Sequence, residues 1–311
     1  MAARPARHIR REEALVPAST ASEVVVGHDG SRPSEAGLSW AIAEARLRRL
    51  PLVVCHAWQW PYPGHASTPS VEAAAREAAR RVLDAAVARV SRIAGVPAVL
   101  GRFVEGSPAA ALVMMSSSAT LIVLGARGGG GFDDLRVGSA AVQVPAHASC
   151  PVVVVKDSVA VPVVPFRVVV GVDGSPASEA ALAFAFEEAA IRHGELQIVC
   201  SWWDAGAAQG TPAIPFTQVD GLEQVAAARF QRTVAPWLER YPHVEASTAF
   251  VMEPPREALR EASVGASLLV VGNRGIGTAS ATLLGAVSRT TLHDAPCPVA
   301  IVHATRDIPH G

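Results

Sequence analysis

The residues of this chain whose types and spacing suggest chemistry are two glycine-spaced loops and two aspartates. The first loop reads Gly125-Ala126-Arg127-Gly128, continues through Gly131, and meets Gly138-Ser139 with nine residues between Gly128 and Gly138. The second reads Gly272-Asn273-Arg274-Gly275 and, further on, Gly285-Ala286-Val287-Ser288. Glycine has no Cβ, so such a loop lets several backbone amides converge on one anion. A helix starting at Gly138 or Gly285 would add free amides and a positive dipole end. Ser139 or Ser288 could supply a hydroxyl, and Arg127 or Arg274 a charged fork of donors. Phosphate binding is the chemistry this composition suits; an ordinary glycine turn is the plainer reading. No Gly-Lys-Ser/Thr is present, and a dinucleotide fingerprint belongs after the first strand of a unit, which this loop does not follow. Asp29 and Asp173 each stand in a Val-Gly-x-Asp-Gly-Ser segment, where a carboxylate can hold a metal ion or simply fix a turn.

Those segments occur in pairs. The stretch Val25 to Ser31 returns as Val169 to Ser175, Gly125 to Gly128 as Gly272 to Gly275, and Cys150-Pro151-Val152 as Cys297-Pro298-Val299, all displaced by 144 to 147 positions. A nearly constant displacement marks a duplication. We expect a tail over residues 1–21, one domain over 22–156, a Val/Pro-rich linker over 157–165, a second domain over 166–304, and a tail over 305–311.

Within each copy, short β-branched runs alternate with Ala-, Leu-, Arg- and Glu-rich stretches. Copy one predicts strands at Glu23–His28, Leu52–Ala57, Val99–Val104, Leu121–Leu124 and Val152–Val155. Helices are predicted at Ser34–Leu50 with Ser34 near the cap, Val71–Ala94, Pro108–Ser116 and Ser139–His147. Copy two repeats the series with strands at Val168–Val172, Gln197–Ser201, Glu245–Val251, Leu268–Val271 and Val299–Val302. Nearly all-apolar strands alternating with helices imply an α/β fold, with a five-stranded parallel sheet per copy covered on both faces. Such sheets bind ligands beyond the carboxyl ends of their strands. The aspartates after strand one and the glycines after strand four both fall there.

The rest of the composition narrows the function. Lys+Arg number 27 against Asp+Glu 28, so no global basic field gathers nucleic acid. The apolar window Pro151 to Val172 is broken by Lys156, Asp157, Pro162, Pro165 and Arg167, which excludes a membrane helix there. The first twenty residues carry four arginines but no apolar stretch of a secretory signal, so a cytoplasmic location is expected. Cys55, Cys150, Cys200 and Cys297 form no CxxC pair and read as buried thiols. Asp133 and Asp134 could hold magnesium but read better as an acidic turn, since copy two has Ala279 and Ser280 nearby. His147 and His293 are expected to pack near a helix end, and Trp58, Trp60, Trp202 and Trp203 in a core or interface. No nucleophile elbow, metalloprotease or kinase signature occurs.

The copy-one spacing Gly125-x2-Gly128-x9-Gly138-Ser139, with the strand-one and Cys-Pro-Val segments of both copies, resembles the ATP-binding subgroup of the universal stress protein family. The resemblance implies a tandem of Rossmann-like domains (flavodoxin-like, of the adenine nucleotide alpha hydrolase type), domain pairing as an internal pseudo-dimer or a homodimer, and a regulatory protein partner. It implies ATP, with magnesium on its phosphates near Asp29 and Asp173. His28, Ala57, Val172 and Trp202 would line the adenine. Leu124, Gly125, Arg127, Gly128, Gly138 and Ser139 would wrap ribose and phosphates in copy one, and Val271, Gly272, Arg274, Gly275, Gly285, Ala286 and Ser288 in copy two. Ala286 replaces the motif's last Ser/Thr, and Glu253 stands where copy one has Gly106. Copy one is therefore expected to bind ATP more tightly. A nucleotide-dependent regulator of the stress response is the leading expectation, and a slow ATP hydrolase, or a phosphotransferase that modifies its own Ser139 or Ser288, is the alternative.

Overall fold

The computed structural model describes residues 22–60, 68–128, 137–156, 165–203, 216–276 and 283–304. Both expected tails, the linker up to residue 164, and Asp133 and Asp134 lie outside the described residues. Copy one contains β1 (Glu23–Gly27), α1 (Arg32–Arg48), β2 (Leu52–Trp58), α2 (Pro69–Val90), β3 (Val99–Glu105), α3 (Pro108–Met115), β4 (Ala119–Gly125), α4 (Ser139–His147) and β5 (Val152–Val155). Copy two contains β6 (Arg167–Gly171), α5 (Pro176–Arg192), β7 (Glu195–Ser201), α6 (Phe216–Arg240), β8 (Glu245–Val251), α7 (Pro255–Ala262), β9 (Leu268–Gly272), α8 (Ala286–Asp294) and β10 (Val299–Val302). None of the described helices is long and apolar enough to cross a membrane.

The ten strands among the described residues form one sheet in the order β3-β2-β1-β4-β5-β10-β9-β6-β7-β8. Pairing is parallel within each copy. At the centre β5 meets β10 antiparallel, with Val153 opposite Ala300. Each last strand therefore already has two neighbours in this chain, and neither leaves an edge for a second copy. The valine runs explain the burial. Val24 and Val26 pack on one face with Leu38 of α1 and Leu182 of α5, whereas Val25 packs on the other with Leu112 of α3 and Leu292 of α8. A strand buried on both faces has no polar side, which is why it reads as an unbroken apolar run. Ser31, not Ser34, caps α1, accepting from the Ser34 amide; Ser175 does the same for α5.

The copies are also locked through their first helices. Glu44 and Glu188 are fully buried, and each accepts from both Arg48 and Arg192, so two carboxylates and two guanidinium groups close a ring across α1 and α5. Arg192 also lies 4.7 Å from the centre of the Trp40 ring and 4.6 Å from that of Phe166. Burial and the neighbouring Glu44 push the Glu188 carboxyl upward, and the two guanidinium groups pull it back. A second exchange runs beside the central strands. Lys156, just after β5, donates to the carbonyls of His293 (3.1 Å) and Ala295 (2.6 Å) at the end of α8. A cation there satisfies carbonyls that the helix cannot. His303, after β10, occupies the matching place, and neither ring nitrogen has a hydrogen-bond partner among the described residues. Burial holds its pKa below the ordinary imidazole value, outweighing the opposing pull of nearby backbone at Pro145.

Two outcomes follow from these contacts. Arg192→Met leaves buried carboxylates uncompensated and should lower unfolding free energy by about 3–5 kcal/mol in denaturant titrations, while replacing all four charged residues by apolar ones of similar volume should recover most of it. For His303 the unfolded chain takes up a proton at higher pH than the folded one. Stability should therefore fall as pH drops below about 6.5, and the His303→Gln variant should show a shallower fall.

Candidate functional site

Strand order reverses between β1 and β4, and again between β6 and β9, so a crevice opens at the carboxyl ends of each pair. In copy one Asp29 follows β1 directly. Its Oδ1 accepts from the Ser31 amide (3.0 Å) and the Ser31 hydroxyl (2.5 Å), closing the turn into α1. Its Oδ2 faces Gly128, where an added Cβ would come within 2.7 Å. In copy two the carboxylate spans further. Asp173 Oδ1 accepts from the Ser175 amide at 2.9 Å, and Oδ2 accepts from the Ile276 amide, also at 2.9 Å. Asp173 thus ties the first turn to the glycine loop.

The glycines divide by purpose. A Cβ on Gly125 would overlap the backbone of Pro33 and come within 2.8 Å of the Ser34 amide. On Gly272 it would lie 2.8 Å from the carbonyl carbon of Ala177. These two glycines let the helix after the first strand press against the end of β4 or β9, a packing requirement that holds without any ligand. Gly138 and Gly285 differ, because a Cβ there meets only ordinary contacts at 3.5 Å and 3.4 Å. Both are N-cap residues with ordinary extended backbone and no capping side chain, so the first-turn amides of α4 and α8 have no side-chain acceptor from the cap.

Copy two holds a cleft of about 980 Å³ at this point. Val172, Val199, Trp202 and Phe250 line an apolar part; Asp173, Gly275, Gly285 and Ala286 line the loop side. Trp202 and Trp203 therefore line a cleft and do not pack in a core or interface, and Trp203 is 43% exposed. Ala57 is half-buried at the end of β2, Arg127 half-buried, Arg274 and Ser139 exposed, and Val271 buried beneath the cleft.

Three expected site residues are placed differently. Leu124 is a core residue, its side chain packed under Gly27. His28 is buried with Nδ1 3.2 Å from the Ser34 hydroxyl and Nε2 3.6 Å from a Glu35 oxygen, so its ring is turned toward the start of α1. Ser288 is buried and donates to the Gly272 carbonyl at 2.7 Å. A hydroxyl whose one proton points at a carbonyl cannot also donate to phosphate. Glu253 is exposed and lies outside the cleft lining. His147 turns Nδ1 toward the Gln143 carbonyl in its own helix, as a helix-end histidine should.

Among the described residues no three or more His, Cys, Asp or Glu come together as a metal site. Burial pushes the Cys55, Cys150 and Cys297 thiols up to about 12, and Cys200 to about 11, which keeps them protonated and poor nucleophiles. Burial also holds the His56 imidazole, stacked on Phe103, below its ordinary pKa. Arg229 of α6 and Arg289 of α8 also line the cleft, and motif reading passed over them. Aligning the copies position by position would have shown them, because Val82 and Val142 stand at the same places in copy one.

The universal stress protein family profile matches residues 21–156 and 166–303. Universal stress protein Rv2005c of Mycobacterium tuberculosis (strain ATCC 25618 / H37Rv) is 35% identical over 288 residues, covering 89% of this chain and 96% of that protein. Universal stress protein Rv2623 of the same strain is 35% identical over 292 residues, covering 89% and 95%. Among solved structures, a universal stress protein from Archaeoglobus fulgidus DSM 4304 shares the fold with a TM-score of 0.65 at 21% identity, covering 91% of this chain and 99% of that one.

The division of the glycines is testable by thermal or chemical unfolding. Gly125→Ala should lose about 1–3 kcal/mol because backbone must move to admit the methyl. Gly138→Ala should stay within about 1 kcal/mol of wild type, the usual range for a Gly-to-Ala change at a helix cap.

Proposed function

The chain belongs to the universal stress protein family, and from that premise we propose that it is a cytoplasmic, adenine nucleotide-binding regulator whose two switch-point crevices take ATP. The observation that carries this reading is the convergence, in both copies, of an aspartate turn, a glycine loop and an uncapped helix start at the carboxyl ends of the strands. Phosphates would rest on the loop and the first-turn amides of α4 or α8, where the dipole end favours anions. The sugar would lie beside Asp29 or Asp173. The base would enter the apolar part formed in copy two by Val172, Val199 and Trp202. Asp29 or Asp173 would offer a bound magnesium ion one carboxylate oxygen, with phosphate and water supplying the other ligands.

Ser139 is exposed in the first turn of α4, whereas Ala286 takes its place in α8. That hydroxyl favours tighter binding by copy one. Occupancy would act through the packing of the two copies, which share one sheet, or through the choice of a regulatory partner. Hydrolysis needs a base or orienting group for water. The two aspartates are held by backbone amides, and Ser288 donates inward, so nothing in these contacts favours turnover.

Calorimetric titration of nucleotide-stripped protein with a non-hydrolysable ATP analogue and magnesium tests the reading. We expect two sites per chain with micromolar affinity, about −8 kcal/mol. Ser139→Ala should weaken the tighter one by about 1.5 kcal/mol or more. No heat at millimolar analogue would overturn nucleotide binding, and an unchanged titration in Ser139→Ala would overturn the ranking of the copies.

A further inference from the structure

The copy-two cleft carries arginine at two places where copy one has valine. Three arginines line the copy-two cleft: Arg229, Arg274 and Arg289. Among the described residues Asp173 is its one acidic lining residue, and its two oxygens accept from backbone amides. None of the three arginines makes an ion pair with another described residue. Copy one keeps only Arg127 of this set, with Val82 and Val142 at the other two places.

Their placement along the cleft matters more than their number. Arg274 and Arg289 belong to the loop and to the first turn of α8, the end where 5′-phosphates would sit. Arg229 comes from the opposite wall. Its Nη2 and Nε lie 3.2 Å and 3.4 Å from where a Cβ on Gly174 would be, so the guanidinium covers the turn beside Asp173. At the same point over Gly30 in copy one stands a Val82 methyl, 3.0 Å away. If Asp173 marks the sugar, Arg229 marks the side of the sugar away from the 5′-phosphates. A guanidinium beside a ribose subsite is the arrangement that accommodates a phosphate on a ribose hydroxyl. It suits that task because it is always charged and offers a planar fork to phosphate oxygens.

Resting on the nucleotide reading above, we propose that the copy-two cleft selects an adenosine nucleotide phosphorylated on the ribose as well as at the 5′ position, and that Arg229 is the residue that sets this preference. Copy one, with valine at that place, would take the ordinary 5′-nucleotide. The two halves of the chain would then sense two different ligands.

The test compares ADP with adenosine 2′,5′-bisphosphate and adenosine 3′,5′-bisphosphate, which carry the same number of phosphates differently placed. Calorimetry on the full chain should show one bisphosphate isomer bound at a single site at least about tenfold more tightly than ADP at that site, the ratio a charged hydrogen bond gives. In Arg229→Val, which installs the copy-one residue on an exposed helix position, the ratio of bisphosphate to ADP affinity at that site should fall to about one. Equal affinities for ADP and both bisphosphates, or a preference that survives in Arg229→Val, would overturn the inference and leave nucleotide binding intact. Failure of ADP and ATP to bind at all would overturn the nucleotide reading itself, and this inference with it.

Discussion

The site depends on a contact with no room for a side chain. Where α1 begins, the backbone of Pro33 and Ser34 lies against Gly125 at the end of β4, and in copy two Ala177 lies against Gly272 in the same way. This contact brings the turn after the first strand to the loop after the fourth, although about 95 residues of chain separate them. Once they touch, Asp29 reaches Gly128 and Asp173 reaches the Ile276 amide. A bulkier residue would part the strand end from the helix and open the crevice. The first glycine of the motif therefore makes the site by making the fold, and the later ones, Gly138 and Gly285, are free to face a ligand.

Joining the copies adds a second constraint. The central β5–β10 pairing turns two parallel sheets into one, and the ring of Glu44, Arg48, Glu188 and Arg192 holds the first helices together on one face. Those helices begin at the aspartate turns. A shift of α1 against α5 would thus move both turns, which gives the crevices a mechanical path to each other. Buried ion rings are costly to break from one side, so the arrangement favours a single relative placement of the copies.

Much of this was legible in the residues. The duplication, the strand–helix alternation and the strand-end location of the motifs follow from valine runs, proline-opened helices and a constant displacement. Ser139–His147, Val152–Val155, Glu245–Val251 and Val299–Val302 have the predicted bounds. Two kinds of feature were hidden. Pairwise contacts between distant elements leave no local pattern, so the inward turn of Ser288 and the core position of Leu124 could be found only in three dimensions. The ion ring did leave a trace, a Glu-x3-Arg spacing at Glu44–Arg48 and again at Glu188–Arg192. Read locally it is an ordinary surface helix pair; only the approach of α1 to α5 turns it into a buried junction. Arg229 was missed for a related reason, since it lies on a helix that carries no motif.

In the proposed reading, backbone amides of the glycine loops and of the helix starts receive an adenine nucleotide. Amide hydrogen exchange with and without a non-hydrolysable ATP analogue measures those groups directly. Slowed exchange is expected at Arg127, Gly128 and Ser139 to Ala141, and at Arg274 and Ala286 to Ser288, whose amides are not held by the strand and turn contacts that occupy Ala126, Asn273 and Ile276, with little change in the strands. Protection confined to other surfaces, or none at saturating analogue, would contradict that reading.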